Sequence, residues 1–225
     1  MAEPIAIFKN KRSSKLCIIK SKKIMSHSRD QLEAWLKTIE INGGKVLDIG
    51  GSQLPVFNRL KRFIAEEYKI LDLEKPHDCI QKPDIIADLN IKQDWFGINT
   101  PKELTKAFGY FDTAFCLEVS EYFYNPVQAI ENIASLLKHG GTLYMSFHFI
   151  TPVHAPLDQD CLRYTRNGAV KLLEKAGFKI NDITKRLPLA LPNMIGFYKD
   201  ELGTKLSKKY NYHEEIGVLI VATKI

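Results

Sequence analysis

Four carboxylates stand where they could meet: Asp48, Asp72, Asp88 and Glu118 each fall at the end of a short apolar run, KVLDIG, YKILDLE, PDIIADLN and FDTAFCLEV. If these runs are neighbouring parallel strands, their carboxyl ends share one edge of a sheet. A single terminal acid readily caps the following turn. Four gathered on one rim repel one another unless backbone amides or a polar ligand meet them. Asp72 follows Asp48 by 24 positions, the separation at which a carboxylate on the adjacent strand can accept the two hydroxyls of a ribose. The loop Asp48-Ile49-Gly50-Gly51-Ser52 lets backbone approach a ligand closely, because Gly50 and Gly51 carry no Cβ. It is not a GxGxxG string.

A second group follows the fifth apolar run. The stretch FHFITPVHAPLD carries His148, His154 and Asp158 on a proline-stiffened connection at the same edge. Imidazole is the side chain best suited to accept a proton near neutral pH, and Asp158 could orient it. The plainer alternative has His148 packed beside the sheet and His154 facing solvent. None of the six histidines pairs with another at HxH or HxxxH spacing and no HExxH occurs, so no metal site is expected. The absence of GxSxG and GxxxxGK[ST] argues against an α/β-hydrolase and a P-loop NTPase.

These residues need elements to position them. Residues 26–40 read as a helix with Ser28 as cap and Leu32, Trp35, Leu36 and Ile39 on one stripe. A second helical stripe runs from Val56 to Glu67, a weak one over Pro101 to Phe108, and a good one from Pro126 to the stop at His139-Gly140-Gly141. GTLYMSFHF gives a fifth strand, Gly168 to Lys175 a further helix, FKINDIT a strand, and GVLIVAT the closing strand. Short apolar runs alternating with helical stripes predict an α/β fold: a doubly wound, mostly parallel sheet with helices on both faces.

The formal charge of +6 is concentrated. Residues 1–25 hold seven Lys/Arg and one acid, leaving 25 basic and 25 acidic groups in the rest. A basic arm over residues 1–25 can attract phosphates or an anionic surface. It interleaves only Phe8 with its cations, so the stacking half of a nucleic-acid platform is missing. The expected organisation is this arm followed by one domain at 26–225, with an irregular segment at 187–215. The four cysteines form no CxxC pair, and no run approaches the ~20 apolar residues of a membrane span. A soluble cytoplasmic protein is expected, of undetermined oligomeric state.

With these strings in order, the sequence resembles the class I S-adenosylmethionine-dependent methyltransferases, in their small-molecule, type 11-like branch. VLDIGGS at 46–52, ILDLE at 70–74, IIADLN at 85–90, CLEVSEY at 116–122 and LLKHGGTLYMS at 136–146 resemble five successive family motifs. The resemblance implies a seven-stranded sheet with its last strand antiparallel, and S-adenosyl-L-methionine as cofactor. It implies Asp48, Gly50 and Gly51 along the methionine part, Asp72 on the ribose with Leu73 beside it, Asp88 and Leu89 at the adenine, and Glu118 in the same site. DQDCLRYT at 158–165 resembles a string of family members acting on sugars and other metabolites, which with the fourth motif puts Glu121, Tyr122, Arg163 and Tyr164 on the substrate side. Two departures stand out: Ser52 replaces the later glycine of D-x-G-x-G, and Tyr122 replaces the usual histidine.

The implied reaction is in-line methyl transfer to a small-molecule acceptor, at oxygen if His148 or His154 serves as base. Three alternatives stay open. A nicotinamide-dependent oxidoreductase would use Asp72 equally well. A non-catalytic domain of the same fold would bind cofactor or partner only. An RNA methyltransferase would use the basic arm, although the balanced charge of the body favours a small molecule over nucleic acid.

Overall fold

The computed structural model describes residues 26–97, 100–187 and 215–225, with the backbone of 7–8 and 17–18. In the arm, β1 (Ile7–Phe8) pairs antiparallel with β2 (Cys17–Ile18); the rest of the arm, and residues 188–214 of the segment expected to be irregular, lie outside the described residues.

Helix α1 (His27–Leu36) is capped by Ser26, whose hydroxyl accepts from the Arg29 amide, rather than by Ser28. Leu32 and Leu36 are fully buried, each contributing about 1.5–3 kcal/mol relative to exposure. The helix stops four residues before β3 (Glu40–Asn42), so Ile39 and Ile41 reach the core from a turn and a strand. Next come β4 (Lys45–Ile49), β5 (Arg62–Ile64), β6 (Glu67–Asp72), the two-residue β7 (Ile85–Ile86), α2 (Lys102–Ala107) and β8 (Phe111–Cys116). Then follow α3 (Pro126–Leu136), β9 (Leu137–His148), α4 (Arg166–Lys175), β10 (Phe178–Arg186) and β11 (Gly217–Lys224).

Seven strands form one sheet in the order β10-β11-β9-β8-β4-β6-β7. The pairs among β4, β6, β7, β8 and β9 are parallel, and the last strand, β11, lies antiparallel between β9 and β10. Alternate side chains face opposite layers. Leu47 and Ile49 join a core with α2, α3 and α4, while Val46 joins a second core with α1. The order in which strands are added reverses at β4, flanked by β6 on one side and β8 on the other, and a crevice opens at such a point.

Two expectations are corrected. Residues 56–67 form no α-helix: a single 3-10 turn at Val56–Asn58 leads into β5, which pairs parallel with β3. Phe57, Phe63 and Tyr68 pack ring against ring at 5.4–6.4 Å, and Arg59 is tied to Glu33 of α1. This tertiary pairing outweighs the modest helix propensity of aromatic and β-branched residues. The helix expected to reach His139 ends at Leu136, because β9 already pairs there (Phe111 with Leu137). The register then shifts before Thr113 meets Thr142, with Gly140 absorbing the bulge at φ +80°.

Candidate active site

A cavity of about 1380 Å³ opens over the carboxyl ends of β4, β6 and β8. Its walls include Gly50, Asp72, Leu73, Asp88, Leu89 and Glu118 on one flank, and Tyr122, His148, His154 and Asp158 on the other. Asp72 is held by backbone: Oδ2 accepts from the Ser52 amide at 3.3 Å and Oδ1 from the Leu73 amide at 2.8 Å. Asp88 Oδ1 accepts from the amide and side chain of Asn90 at 2.9 and 3.1 Å. Gly50 adopts φ +74°, and a Cβ there would come within 2.3 Å of Val119 Cγ2. Backbone can therefore line the cavity at this point only because the side chain is missing.

Asp48 and Gly51 do not line the cavity. Asp48 is buried beneath the loop, where Oδ2 accepts from the Val56 amide at 2.7 Å and the Tyr68 hydroxyl at 2.5 Å. A Cβ on Gly51 would lie 2.5 Å from the Asp48 carboxylate, so this glycine makes room for the buried acid. Burial raises the Asp48 carboxyl from 3.8 to about 6, against the Tyr68 and Val56 hydrogen bonds, which lower it. The expectation that all four strand-end acids converge on a ligand is thus corrected: three reach the cavity, and the first braces the loop.

Glu118 takes a left-handed backbone at φ +57°, a strained conformation for a side chain of this size. Its amide donates to Ser146 Oγ at 2.7 Å, and its carboxylate accepts from Arg186 Nη1 at 2.7 Å and Nη2 at 3.2 Å. Arg186 is only 1% exposed. Burial alone would raise the Glu118 carboxyl, but His148 and Arg186 outweigh it and hold it well below its ordinary value.

The sharpest concentration of chemistry lies beside it. Glu121 is fully buried, and its Oε1 lies 3.3 Å from His148 Nε2 and 3.2 Å from His154 Nε2. His148 Nε2 also sits 3.2 Å from Glu118 Oε2. Burial would lower the His148 imidazole, but the two carboxylates outweigh it and lift it to about 9. His154, at the mouth, is raised chiefly by its contact with Glu121. Tyr122 meets His154 Nδ1 at 2.9 Å and donates to the Ala155 carbonyl at 2.7 Å.

The remaining sequence-predicted residues are distributed otherwise. Glu121, Arg163 and Tyr164 do not line the cavity. The Arg163 guanidinium grips both Asp160 oxygens and the carbonyls of Thr151 at 3.1 Å and Pro152 at 2.9 Å, clipping the loop shut. Tyr164 is buried, with its hydroxyl on the Ser120 carbonyl at 2.9 Å. Asp158 lines the cavity yet orients no histidine. That work falls to Glu118 and Glu121, while Asp160 receives the His154 amide at 2.9 Å. Sequence reasoning missed Arg186, which reaches Glu118 from 68 positions away with no local signal. It also missed Asp160, whose i,i+3 spacing to Arg163 was visible.

The family whose sequence model matches is described as a methyltransferase domain, and the match spans residues 96–145. No curated protein sequence matches the chain. Among solved structures, an S-adenosylmethionine-dependent methyltransferase from Mesorhizobium loti superposes with a TM-score of 0.52 at 17% identity, covering 88% of this chain and 98% of that one. A Bacillus halodurans protein assigned to the methyltransferases gives 0.53 at 14% identity, over 87% and 97%. The [4+2]-cyclase SpnF gives 0.51 at 16%, over 87% and 81%. The shared architecture is that of the class I methyltransferase fold. The domain match over residues 96–145 agrees with the superfamily that the motifs resemble, whose implied cofactor is S-adenosylmethionine. The cavity fits such a group: it has ample volume, a glycine approach at Gly50, and carboxylates at Asp72 and Asp88. No helix among the described residues is long and apolar enough to cross a membrane.

Proposed function

We propose that the chain transfers a methyl group from S-adenosylmethionine to a small polar acceptor, at an oxygen atom. The observation that carries this reading is the continuity of one cavity from the Asp72–Asp88 wall to the Glu118–His148–His154 wall. Asp72, already fixed by two backbone amides, accepts the ribose hydroxyls. Asp88 takes the adenine amino group, Leu73 and Leu89 supply the apolar flank, and Gly50 admits the methionine part. When bound, S-adenosylmethionine supplies an electrophilic methyl group, which leaves the chain to align the acceptor and exclude water.

On the acceptor side, Tyr122 and His154 face the cavity. The Tyr122 hydroxyl donates to the Ala155 carbonyl and its oxygen meets His154 Nδ1, while His154 Nε2 faces Glu121 Oε1 at 3.2 Å. His154, at the cavity mouth, is then the residue that takes a hydroxyl proton from the acceptor. His148, buried between two carboxylates, is a positioning residue for Glu121 rather than the base.

Calorimetry tests the cofactor half. The wild type binds S-adenosylhomocysteine in preference to NAD, and Asp72→Ala weakens that binding by about 10- to 100-fold, the worth of hydrogen bonds to a charged group. Preference for NAD, or an unchanged affinity in Asp72→Ala, refutes it. For the acceptor half, a panel of hydroxylated metabolites is assayed for methylation; products methylated only at nitrogen or carbon overturn the oxygen assignment.

A further inference from the structure

The sequence predicts no metal site, yet three donor groups meet beside the cavity in a way that side-chain spacing did not foretell. We propose that Glu121, His148 and His154 form a binding site for one divalent transition-metal ion of the zinc or iron(II) type.

The geometry is that of ligands around a common point. Donor atoms of the three residues lie within 4.8 Å of one another. Glu121 Oε1 stands 3.3 Å from His148 Nε2 and 3.2 Å from His154 Nε2. Two donors each about 2.0–2.1 Å from one tetrahedral ion are separated by about 3.3 Å. Although these atoms are close, neither Glu121 Oε1 nor either nitrogen of His148 makes a hydrogen bond, and all three are buried from solvent. Buried polar atoms left in this state are costly unless something else satisfies them.

The surroundings prepare the same three atoms. The other Glu121 oxygen, Oε2, lies 3.5 Å from the Ser120 hydroxyl, whose hydrogen goes to the Ser146 carbonyl at 2.9 Å, and Oε1 is the oxygen turned to both imidazoles. The Tyr122–Ala155 arrangement puts the His154 proton on Nδ1 and so exposes Nε2, the way an outer partner fixes the tautomer of a ligating histidine. Arg186 occupies both oxygens of Glu118, which keeps that neighbouring carboxylate out of the set. The backbone supports the loop ligand: Arg163 and Asp160 clip residues 151–163, and Asp160 receives the His154 amide. Two imidazoles and one carboxylate suit zinc or iron(II) better than magnesium or calcium, which prefer all-oxygen sites.

Both histidines border the cavity, so the open coordination position faces the acceptor side. An oxygen-bearing acceptor would bind there. This last step rests on the proposed methyl-transfer reading; the metal site itself does not. With the ion bound, His154 would be a ligand and not the base; the ion would lower the pKa of a bound acceptor hydroxyl, whose proton would leave to solvent through the cavity mouth.

The test uses the full-length chain, stripped with a chelator and titrated with Zn²⁺ and Co²⁺. The expected results are one ion per chain by elemental analysis and visible d–d absorption from Co²⁺. His154→Ala, on a half-exposed loop, and Glu121→Gln each weaken binding by at least about 100-fold, beyond the 10- to 100-fold typical of outer partners. His139→Ala, a distant exposed histidine, keeps the stoichiometry. Circular dichroism on each variant separates lost ligands from lost folding. Absence of stoichiometric binding in the wild type, or equal affinity in His154→Ala, overturns the proposal and leaves a proton-bridged cluster in its place. S-Adenosylhomocysteine calorimetry on the metal-free wild type reports separately on the cofactor reading, so the two can fail independently.

Discussion

Replacing Asp48 by Asn removes the one strand-end carboxylate that the fold buries under the glycine loop. Its effect can be worked from the structure. The carboxyl titrates near 3.8 when unfolded and at about 6 when folded, the rise coming from burial against the opposing hydrogen bonds of Tyr68 and Val56. A folded value above the unfolded one means the native state binds the proton more tightly. The associated stability is therefore fully present below pH 3.8 and lost as pH climbs through 6. A gap of roughly two pH units corresponds to about 3 kcal/mol. Urea denaturation of wild type and Asp48→Asn at half-unit steps between pH 3.5 and 7 measures the difference in unfolding free energy, in which the titration of every other group cancels. That difference should shift by about 3 kcal/mol in favour of the Asn variant between the two ends of the window. A difference that stays constant across pH would show that Asp48 titrates normally and is not buried as an anion beside Tyr68.

Two further outcomes follow from the same site. Gly50→Ala forces a Cβ to within 2.3 Å of Val119 Cγ2 at φ +74°, and affinity for S-adenosylhomocysteine should fall at least tenfold by calorimetry. Recovery in the double variant Gly50→Ala/Val119→Ala would identify the clash, and no loss in the single variant would refute it. Arg186→Met leaves Glu118 buried beside His148 with Arg29 at 3.8 Å, and should cost about 3–5 kcal/mol of stability. Adding Glu118→Gln should restore part of that, a coupling read from a double-mutant cycle; strict additivity would mean the pair does not interact.

The parallel strands were legible because strands buried on both faces leave apolar runs that need no partner to be recognised. The runs ending at Asp72 and near Asp88 matched strands or their ends, and Gly140 marked a true irregularity. The stripe at Phe57, Leu60, Phe63 and Ile64 misled, since a 3.6 period in aromatic and β-branched residues serves a pairing strand as well. Ile64 is in fact half exposed, and Phe63 pairs across to Ile41. His148 and His154 were visible as chemistry, but their joint partner Glu121 was read as a substrate contact.

What the chain dictates by itself is local: apolar runs that become buried strands, glycines where φ must be positive, and acids delivered by period-two alternation to the ends of strands. What only the tertiary structure decided is which of those acids face the ligand and which are buried. Asp48 turned inward because Tyr68 and the Val56 amide waited there. Glu118 met Arg186 from the far edge of the sheet, and Glu121 met two histidines across a loop folded back by Arg163. The physical reason is that alternation and turn chemistry act over a few residues, whereas the field around a buried charge is set by whichever groups packing brings within about 4 Å.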